Sequence, residues 1–99
     1  SGINNDISNQ YNNIGKIYLK TNKYSIALKY LDSALNKASS YKQKFEIFKN
    51  LQDAHSLNKN PKKSLEFANR YIALKDSLNE VLTQKEIVEL GHKYTMTEQ

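Results

Sequence analysis

Large apolar and aromatic residues recur three and four positions apart near the start of the chain. They fall at Tyr11, Ile14, Ile17 and Tyr18. This spacing predicts the buried face of a helix that ends near Lys20. Residues 1–7 are expected to be a polar lead-in, with Asp6 or Ser8 as the cap of the helix.

A turn centred on Asn22 separates this helix from a second one, which is expected over residues 24–37. Its large residues are Tyr24, Leu28, Leu31 and Leu35, and the small residues Ala27 and Ala34 lie between them. The two helices are therefore expected to fold back on each other. Gly15 lies inside the first helix, where glycine costs roughly 1 kcal/mol relative to alanine. Such a residue predicts a close approach of the neighbouring helix.

Two further helices follow at similar spacing. Ser39 and Ser40 end the second pattern, and they predict the cap of a third helix over residues 41–57. Asn60 followed by Pro61 predicts the start of a fourth helix, because proline is tolerated at the first helical position. No alternation typical of strands occurs in the sequence. The predicted fold class is all-α.

The C-terminal part is helical in pattern but ambiguous in its boundaries. The fourth helix is expected to pass Leu74, and Asp76-Ser77 either breaks it or lies within it. Helical spacing resumes over residues 78–94. Gly91 is either the left-handed residue that ends a helix or a small packing residue, and the spacing to Tyr94 favours the second role.

The chain repeats itself. A shift of 37 residues places the second helix pair on the first. The matching positions are Tyr11 and Phe48, Ile14 and Leu51, Ile17 and Ala54, Leu28 and Leu65, Leu35 and Ile72, and Asn13 and Asn50. A further shift of 39 residues places Ile87, Leu90, Gly91 and Tyr94 on Phe48, Leu51, Gln52 and His55. Two helix pairs and a third, incomplete unit are expected.

The first unit resembles a tetratricopeptide repeat, a pair of antiparallel helices of about 34 residues. The residues that carry the resemblance are Tyr11, Ile14, Gly15, Tyr18, Ala27, Leu31 and Ala34. The second unit departs from the pattern at Gln52, His55, Ser64 and Tyr71. The resemblance implies one domain over residues 1–99, with repeats at 8–41 and 45–78 and a C-terminal helix or half-repeat at 79–97. The implied architecture is a short right-handed α-solenoid with a C-terminal capping or linker helix.

The C-terminal segment 71–99, YIALKDSLNEVLTQKEIVELGHKYTMTEQ, is similar to the end of another group of proteins. It resembles the part that closes the tetratricopeptide sensor region of Bacteroidetes-type two-component sensor histidine kinases and helix-turn-helix regulators. This resemblance implies a non-catalytic scaffold in the membrane-proximal part of a bacterial sensor region. Such a region would be periplasmic in an inner-membrane protein, and otherwise the chain would be cytoplasmic.

The implied mechanism is protein or peptide interaction, with a helix relay to an effector module. The alternative is a free-standing peptide-binding adaptor. The C-terminal helix is expected either to cap the second unit or to meet a second copy in a homodimer. In the capping arrangement, deletion of residues 79–99 would expose Tyr71 and Ile72.

Stacked helix pairs present a concave face that is built mainly from the first helix of each unit. The side-chain amide of asparagine can donate to and accept from a peptide backbone at the same time. The predicted partner-binding residues are Asn9, Asn12, Asn13, Lys16, Lys20, Lys49, Asn50 and Asp53. The alternative is that each asparagine bonds a neighbouring helix or is solvated.

The net charge of +5 raises the question of a nucleic-acid partner. Arg70 is the only arginine among fifteen basic residues, and the lysines are spread along the chain. A nucleic-acid footprint normally concentrates on one face, so this partner is disfavoured. No apolar run approaches the roughly 20 residues of a membrane span.

Catalytic and metal chemistry is not indicated by the sequence. The chain has no cysteine and two histidines, His55 and His92. His55 lies on the apolar side of its helix in the place of Tyr18, which predicts a packed core histidine. Two histidines without a nearby set of carboxylates do not make a zinc site. We expect no enzyme activity, no metal and no cofactor.

Overall fold

The chain is organised as four helices in a computed structural model, which describes residues 2–98, with side chains described over residues 7–91. The helices are α1 (Gly2–Lys20), α2 (Tyr24–Lys37), α3 (Tyr41–Leu57) and α4 (Pro61–Glu98). No strand occurs among these described residues. The predicted all-α fold class is confirmed, as are the predicted bounds of the second and third helices.

The first helix begins earlier than expected. α1 already starts at Gly2, so the predicted polar lead-in and the predicted caps at Asp6 or Ser8 are wrong. Ser8 lies within α1 and is buried, and its Oγ donates to the carbonyl oxygen of Ala34 at 2.8 Å. This bond satisfies a polar group inside the α1–α2 contact. The side chain of Asp6 lies outside the described residues.

The short connections follow the expected turn and cap chemistry. Asn22 has a φ of 64°, a left-handed conformation that asparagine adopts more readily than most residues. Ser40 caps α3 in a capping box, because its side chain accepts from the backbone of Gln43 while the Gln43 side chain accepts from the backbone of Ser40. Asn60 caps α4, since its Oδ1 accepts from the backbone N–H of Lys63 at 3.3 Å.

Gly15 marks the closest approach between α1 and α2. A Cβ at this position would lie 2.8 Å from Cγ and Cδ2 of Leu31 and 3.3 Å from the carbonyl oxygen of Ala27. The predicted close approach is therefore confirmed. On the adjoining part of the contact, Tyr18 stacks on Tyr30 with ring centroids 5.6 Å apart. Ile17, which was expected on the same buried face, is 59% exposed, so this part of the prediction is wrong.

The core is formed mainly by α2 and α3. Its buried residues are Leu31, Ala34, Ile47, Phe48, Leu51, Ala54 and Phe67. α3 packs against both α2 and α4 and also touches α1, and it is the helix whose backbone lies close to the described part of α4. Each successive helix thus extends one continuous core.

α4 is a single helix that passes through Asp76-Ser77 without a break. Residues 79–91 are exposed throughout, and Ile72 remains 54% exposed. The expectation that the C-terminal helix covers Ile72 within this chain is therefore wrong. The boundary drawn between residues 78 and 79 falls inside α4.

Gly91 does not end a helix. α4 continues to Glu98, and no glycine among the described residues has a positive φ, so the C-cap role is wrong. A Cβ at Gly91 would meet nothing within 4 Å. No helix among the described residues therefore occupies the space where a side chain at this position would lie. The side chains of His92 and Tyr94 lie outside the described residues.

Candidate functional site

A polar groove runs where α1 meets the first half of α3. Its volume is about 450 Å³. The residues that line it are Asn9, Asn12, Asn13, Ser40, Lys42, Gln43 and Glu46. Two adjacent turns of α1 supply the three asparagines, and the capped start of α3 supplies the other four. We refer to this feature as the α1–α3 groove.

Amide-to-amide hydrogen bonds hold the groove together. Asn50 Nδ2 donates to Asn12 Oδ1 at 2.9 Å, and Asn12 is only 5% exposed. Gln43 Nε2 donates to Asn9 Oδ1 at 3.2 Å. A buried amide without a partner costs about 1–3 kcal/mol, so any movement of α1 away from α3 that breaks the Asn12–Asn50 bond is unfavourable. The bond therefore fixes how closely the two helices approach each other.

Lys16 and Glu46 close one side of the groove. Lys16 Nζ lies 3.4 Å from Glu46 Oε1, and both side chains are about half exposed. Exposed ion pairs contribute roughly 0–1 kcal/mol. This pair therefore contributes more to the shape and charge pattern of the groove than to stability.

Two side chains of the groove are open to a ligand. Asn13 and Lys42 are exposed, and neither makes a hydrogen bond or ion pair within the described part of the chain. An amide that can both donate and accept thus lies in the same groove as a cation. This combination suits a peptide backbone with a nearby acidic group.

The eight predicted partner-binding residues divide into three groups. Asn9, Asn12 and Asn13 line the groove. Lys16 and Asn50 adjoin it, through Glu46 and Asn12 respectively. The remaining three, Lys20, Lys49 and Asp53, are exposed and do not line it.

The expected equivalence of Asn13 and Asn50 is not reflected in their contacts. Asn50 forms a hydrogen bond with Asn12. For Asn12 and Asn50, the alternative that each asparagine bonds a neighbouring helix is therefore the correct one. Asn13 is the asparagine that stays open. An ideal helix turns about 100° per residue, and this difference is enough to place Asn12 towards α3 and Asn13 towards solvent.

Three residues that line the groove, Ser40, Lys42 and Gln43, were not among those expected on the concave face. Gln43 has two functions: its Oε1 accepts from the backbone of Ser39 and Ser40, and its Nε2 donates to Asn9. The Ser40-x-x-Gln43 spacing, a capping-box signature, was the available signal. This spacing predicts where α3 starts but not which helix lies beside that start. The angle at which α1 and α3 cross would also have been needed to place Gln43 in the site.

A second groove, of about 760 Å³, lies on α3 between α2 and α4. Phe48, Leu35 and Leu74 form its apolar lining, and Lys44 and Arg70 contribute positive charge. The Arg70 guanidinium carbon lies 4.8 Å from the ring centroid of Phe48 and 5.2 Å from that of Phe67. These cation–π contacts hold the arginine against the α3–α4 contact.

His55 is half-buried and stacks on Phe67, with ring centroids 5.5 Å apart and planes 7° apart. The predicted packed core histidine is therefore confirmed. Its Nδ1 is buried and has no hydrogen-bond partner among the described residues. Desolvation lowers the pKa of His55, an effect that the carboxylate of Asp32 partly opposes. Desolvation also raises the pKa of Asp32, against the opposing influence of His55 and Lys63.

Metal-ligating side chains do not converge in the region that the structure describes, where no three His, Cys, Asp or Glu residues are grouped suitably for an ion. Within the same region, every helix is too short or too polar to cross a lipid bilayer. Comparisons with protein-family models, curated proteins and solved structures gave no match to this chain. Functional inference therefore rests on the residues and the geometry described above.

Proposed function

We propose that this chain is a non-catalytic scaffold of tetratricopeptide type that binds an extended peptide or protein segment in the α1–α3 groove. The observation that carries the proposal is that the open amide of Asn13 and the open ammonium of Lys42 line the same groove, whose wall is held by two amide pairs. A preorganised wall reduces the entropy cost of binding. The repeated helix pairs and the glycine contact at Gly15 support the tetratricopeptide interpretation.

The binding test requires a probe and a matched control. Peptides selected from a random phage-displayed library on the intact chain serve as the probe, and their affinity is measured by isothermal titration calorimetry. We expect Asn13→Ala to weaken binding by about fivefold to thirtyfold, the loss of one or two hydrogen bonds at roughly 1 kcal/mol each. Asn69→Ala, at an exposed asparagine of α4, is the control and should leave affinity unchanged. Equal affinities for the two variants would overturn the groove as the binding site.

The proposed biological setting is the membrane-proximal part of a bacterial two-component sensor region, from which α4 relays a change to an effector. The support is the similarity of segment 71–99 together with the projecting form of α4. The second candidate is a free-standing peptide-binding adaptor. The coding sequence after Gln99 distinguishes them: a membrane span followed by a kinase core or helix-turn-helix domain supports the sensor, and a stop codon supports the adaptor.

Nucleic-acid binding is the third and least supported candidate. It would require affinity for duplex DNA that falls steeply with salt concentration. The acidic Glu46 in the groove is unfavourable for such a partner.

A further inference from the structure

An apolar strip on one side of α4 has no covering helix. Leu65 is 61% exposed and Ile72 is 54% exposed. Their equivalents in the first helix pair, Leu28 and Leu35, are half-buried against the core cluster to which α3 contributes four residues. The second helix pair thus exposes the positions that α3 covers in the first.

The same side of α4 is apolar again near its other end. Ile87 is 57% exposed and Leu90 is 52% exposed. At 3.6 residues per turn, Leu90 lies five full turns from Ile72 and therefore on the same face, with Ile87 about 60° away. α4 consequently presents two apolar patches on one face, Leu65 with Ile72 and Ile87 with Leu90.

The two patches cannot cover each other within one chain. α4 is a single continuous helix, so Leu90 lies about 27 Å along its axis from Ile72. No described helix packs on the face of α4 that carries these two patches, where all four residues are more than half exposed. Only another molecule can bring one patch onto the other.

The charge on α4 reverses between its two halves. Residues 61–75 contain Lys62, Lys63, Arg70 and Lys75 against Glu66, a net charge of +3. Residues 76–91 contain Asp76, Glu80, Glu86 and Glu89 against Lys85, a net charge of −3. Two antiparallel copies of α4 would place each half against the oppositely charged half, whereas two parallel copies would place like charges together.

We propose that the chain forms a two-fold symmetric homodimer in which two copies of α4 pack antiparallel. The patch of Ile87 and Leu90 on each copy covers the patch of Leu65 and Ile72 on the other. The contact is self-complementary, so it closes at two copies. It uses a face of α4 that does not line the α1–α3 groove, and peptide binding and dimer formation can therefore succeed or fail independently. Antiparallel helices direct their C-termini in opposite directions, so this dimer fits the free-standing adaptor and not the membrane-proximal relay.

A parallel dimer is the competing arrangement. Val81 and Val88 lie on the opposite side of α4, and both are exposed. A parallel pair could join through them, but it would bring together two segments of net charge −3. The charge distribution therefore favours the antiparallel pair.

Cysteine cross-linking tests the direction of the contact, because the chain has no native cysteine. Leu65→Cys and Leu90→Cys chains, distinguished by mass, are mixed and oxidised. We expect disulfide dimers that contain one chain of each kind and little dimer from Leu90→Cys alone. Ile17→Cys, at an α1 residue that is 59% exposed, replaces Leu65→Cys in the control mixture and should not cross-link with Leu90→Cys.

Three results would overturn the antiparallel dimer. Efficient self-cross-linking of Val88→Cys would establish the parallel arrangement. A disulfide formed within single chains of the Leu65→Cys, Leu90→Cys double variant would show that the segment folds back. Sedimentation of the unmodified chain as a monomer at all accessible concentrations would exclude a dimer altogether.

Sedimentation equilibrium provides a second test that needs no cross-link. Ile72→Asp should raise the dimer dissociation constant by at least about tenfold, because each dimer loses two buried isoleucines. Ile17→Asp should leave it unchanged. Added salt should weaken the antiparallel dimer by screening attraction, and a dimer that salt strengthens would contradict it. Circular dichroism of each variant checks that the helices are retained.

Discussion

Gly15 and Gly91 both lie inside helices, but in opposite surroundings. Gly15 faces Leu31 at a distance that leaves no room for a methyl group, whereas Gly91 has open space beside it. Position within a helix alone would assign both the same cost relative to alanine. The difference between them comes entirely from the neighbouring helix.

Gly15→Ala should therefore lower the stability of the fold although alanine favours helix. Overpacking costs about 1–3 kcal/mol, which outweighs the gain of about 1 kcal/mol in helix propensity. With the middle of the overpacking range, chemical denaturation should show a net loss of about 1 kcal/mol. Gly91→Ala is the matched control and should raise helix content by circular dichroism without lowering the melting temperature. A Gly15→Ala protein as stable as the unmodified chain would show that α2 can move away at no cost.

His55 should make stability depend on pH. Desolvation lowers its pKa in the folded state below the usual 6.5, so the unfolded chain binds the proton first as pH falls. Stability is then fully present above pH 6.5, decreases as pH falls through this value, and levels off below the folded-state pKa. Denaturation of the chain and of His55→Phe, measured between neutral and mildly acidic pH, should show the steeper loss in the unmodified chain. Parallel curves would exclude this role, since both proteins retain His92.

At the scale of the helices, the sequence predicted what local chemistry determines. The turn at Asn22, the cap at Ser40, the start at Pro61 and the small position at Gly15 each follow from the requirements of a single residue. The predicted start of α1 was wrong. Ser8 was interpreted as a helix cap, but its hydroxyl bonds Ala34 of α2 instead. Tertiary contacts of this kind leave no periodic signal.

The α1–α3 groove was predicted only in part for a related reason. The residues of α1 that line it were among the predicted partner-binding residues because they share one helix and its periodicity. The residues of α3 were not, since the angle at which two helices cross is set by core packing between several elements. Asn50 consequently pairs with Asn12 and not with a ligand.

The capping box of α3 should contribute measurably to stability. Ser40→Ala removes the acceptor of the Gln43 backbone N–H, and we expect a loss of about 1 kcal/mol in chemical denaturation. Ser33→Ala is the control, because Ser33 Oγ donates to the Lys29 carbonyl within the exposed face of α2 and caps nothing. A loss at Ser33 as large as that at Ser40 would argue that hydroxyl removal in general, and not the cap, is responsible.

At the scale of the whole molecule, the second half of α4 is separate from the cooperative core. Residues 79–91 are exposed and add no buried residue to the core cluster. A chain that ends at residue 78 should therefore unfold at the same temperature as the full chain, compared at concentrations where both are monomers. A lower melting temperature for the shortened monomer would show that the segment packs on the core after all.

The molecule extends 64 Å along its longest axis because only the first half of α4 is anchored. The second half of α4 projects beyond the end of α3 as a rigid helix, so a small tilt at the α3–α4 contact moves its far end by a larger distance. Residues 78–91 span about 20 Å, so a tilt of about ten degrees at the α3–α4 contact would move Gly91 sideways by about 3 Å. Because α3 is also one wall of the groove, a small shift of α3 on ligand binding would produce a larger sideways displacement at this end of α4. That displacement exceeds the helix shifts of about 1–2 Å that accompany switching at subunit interfaces.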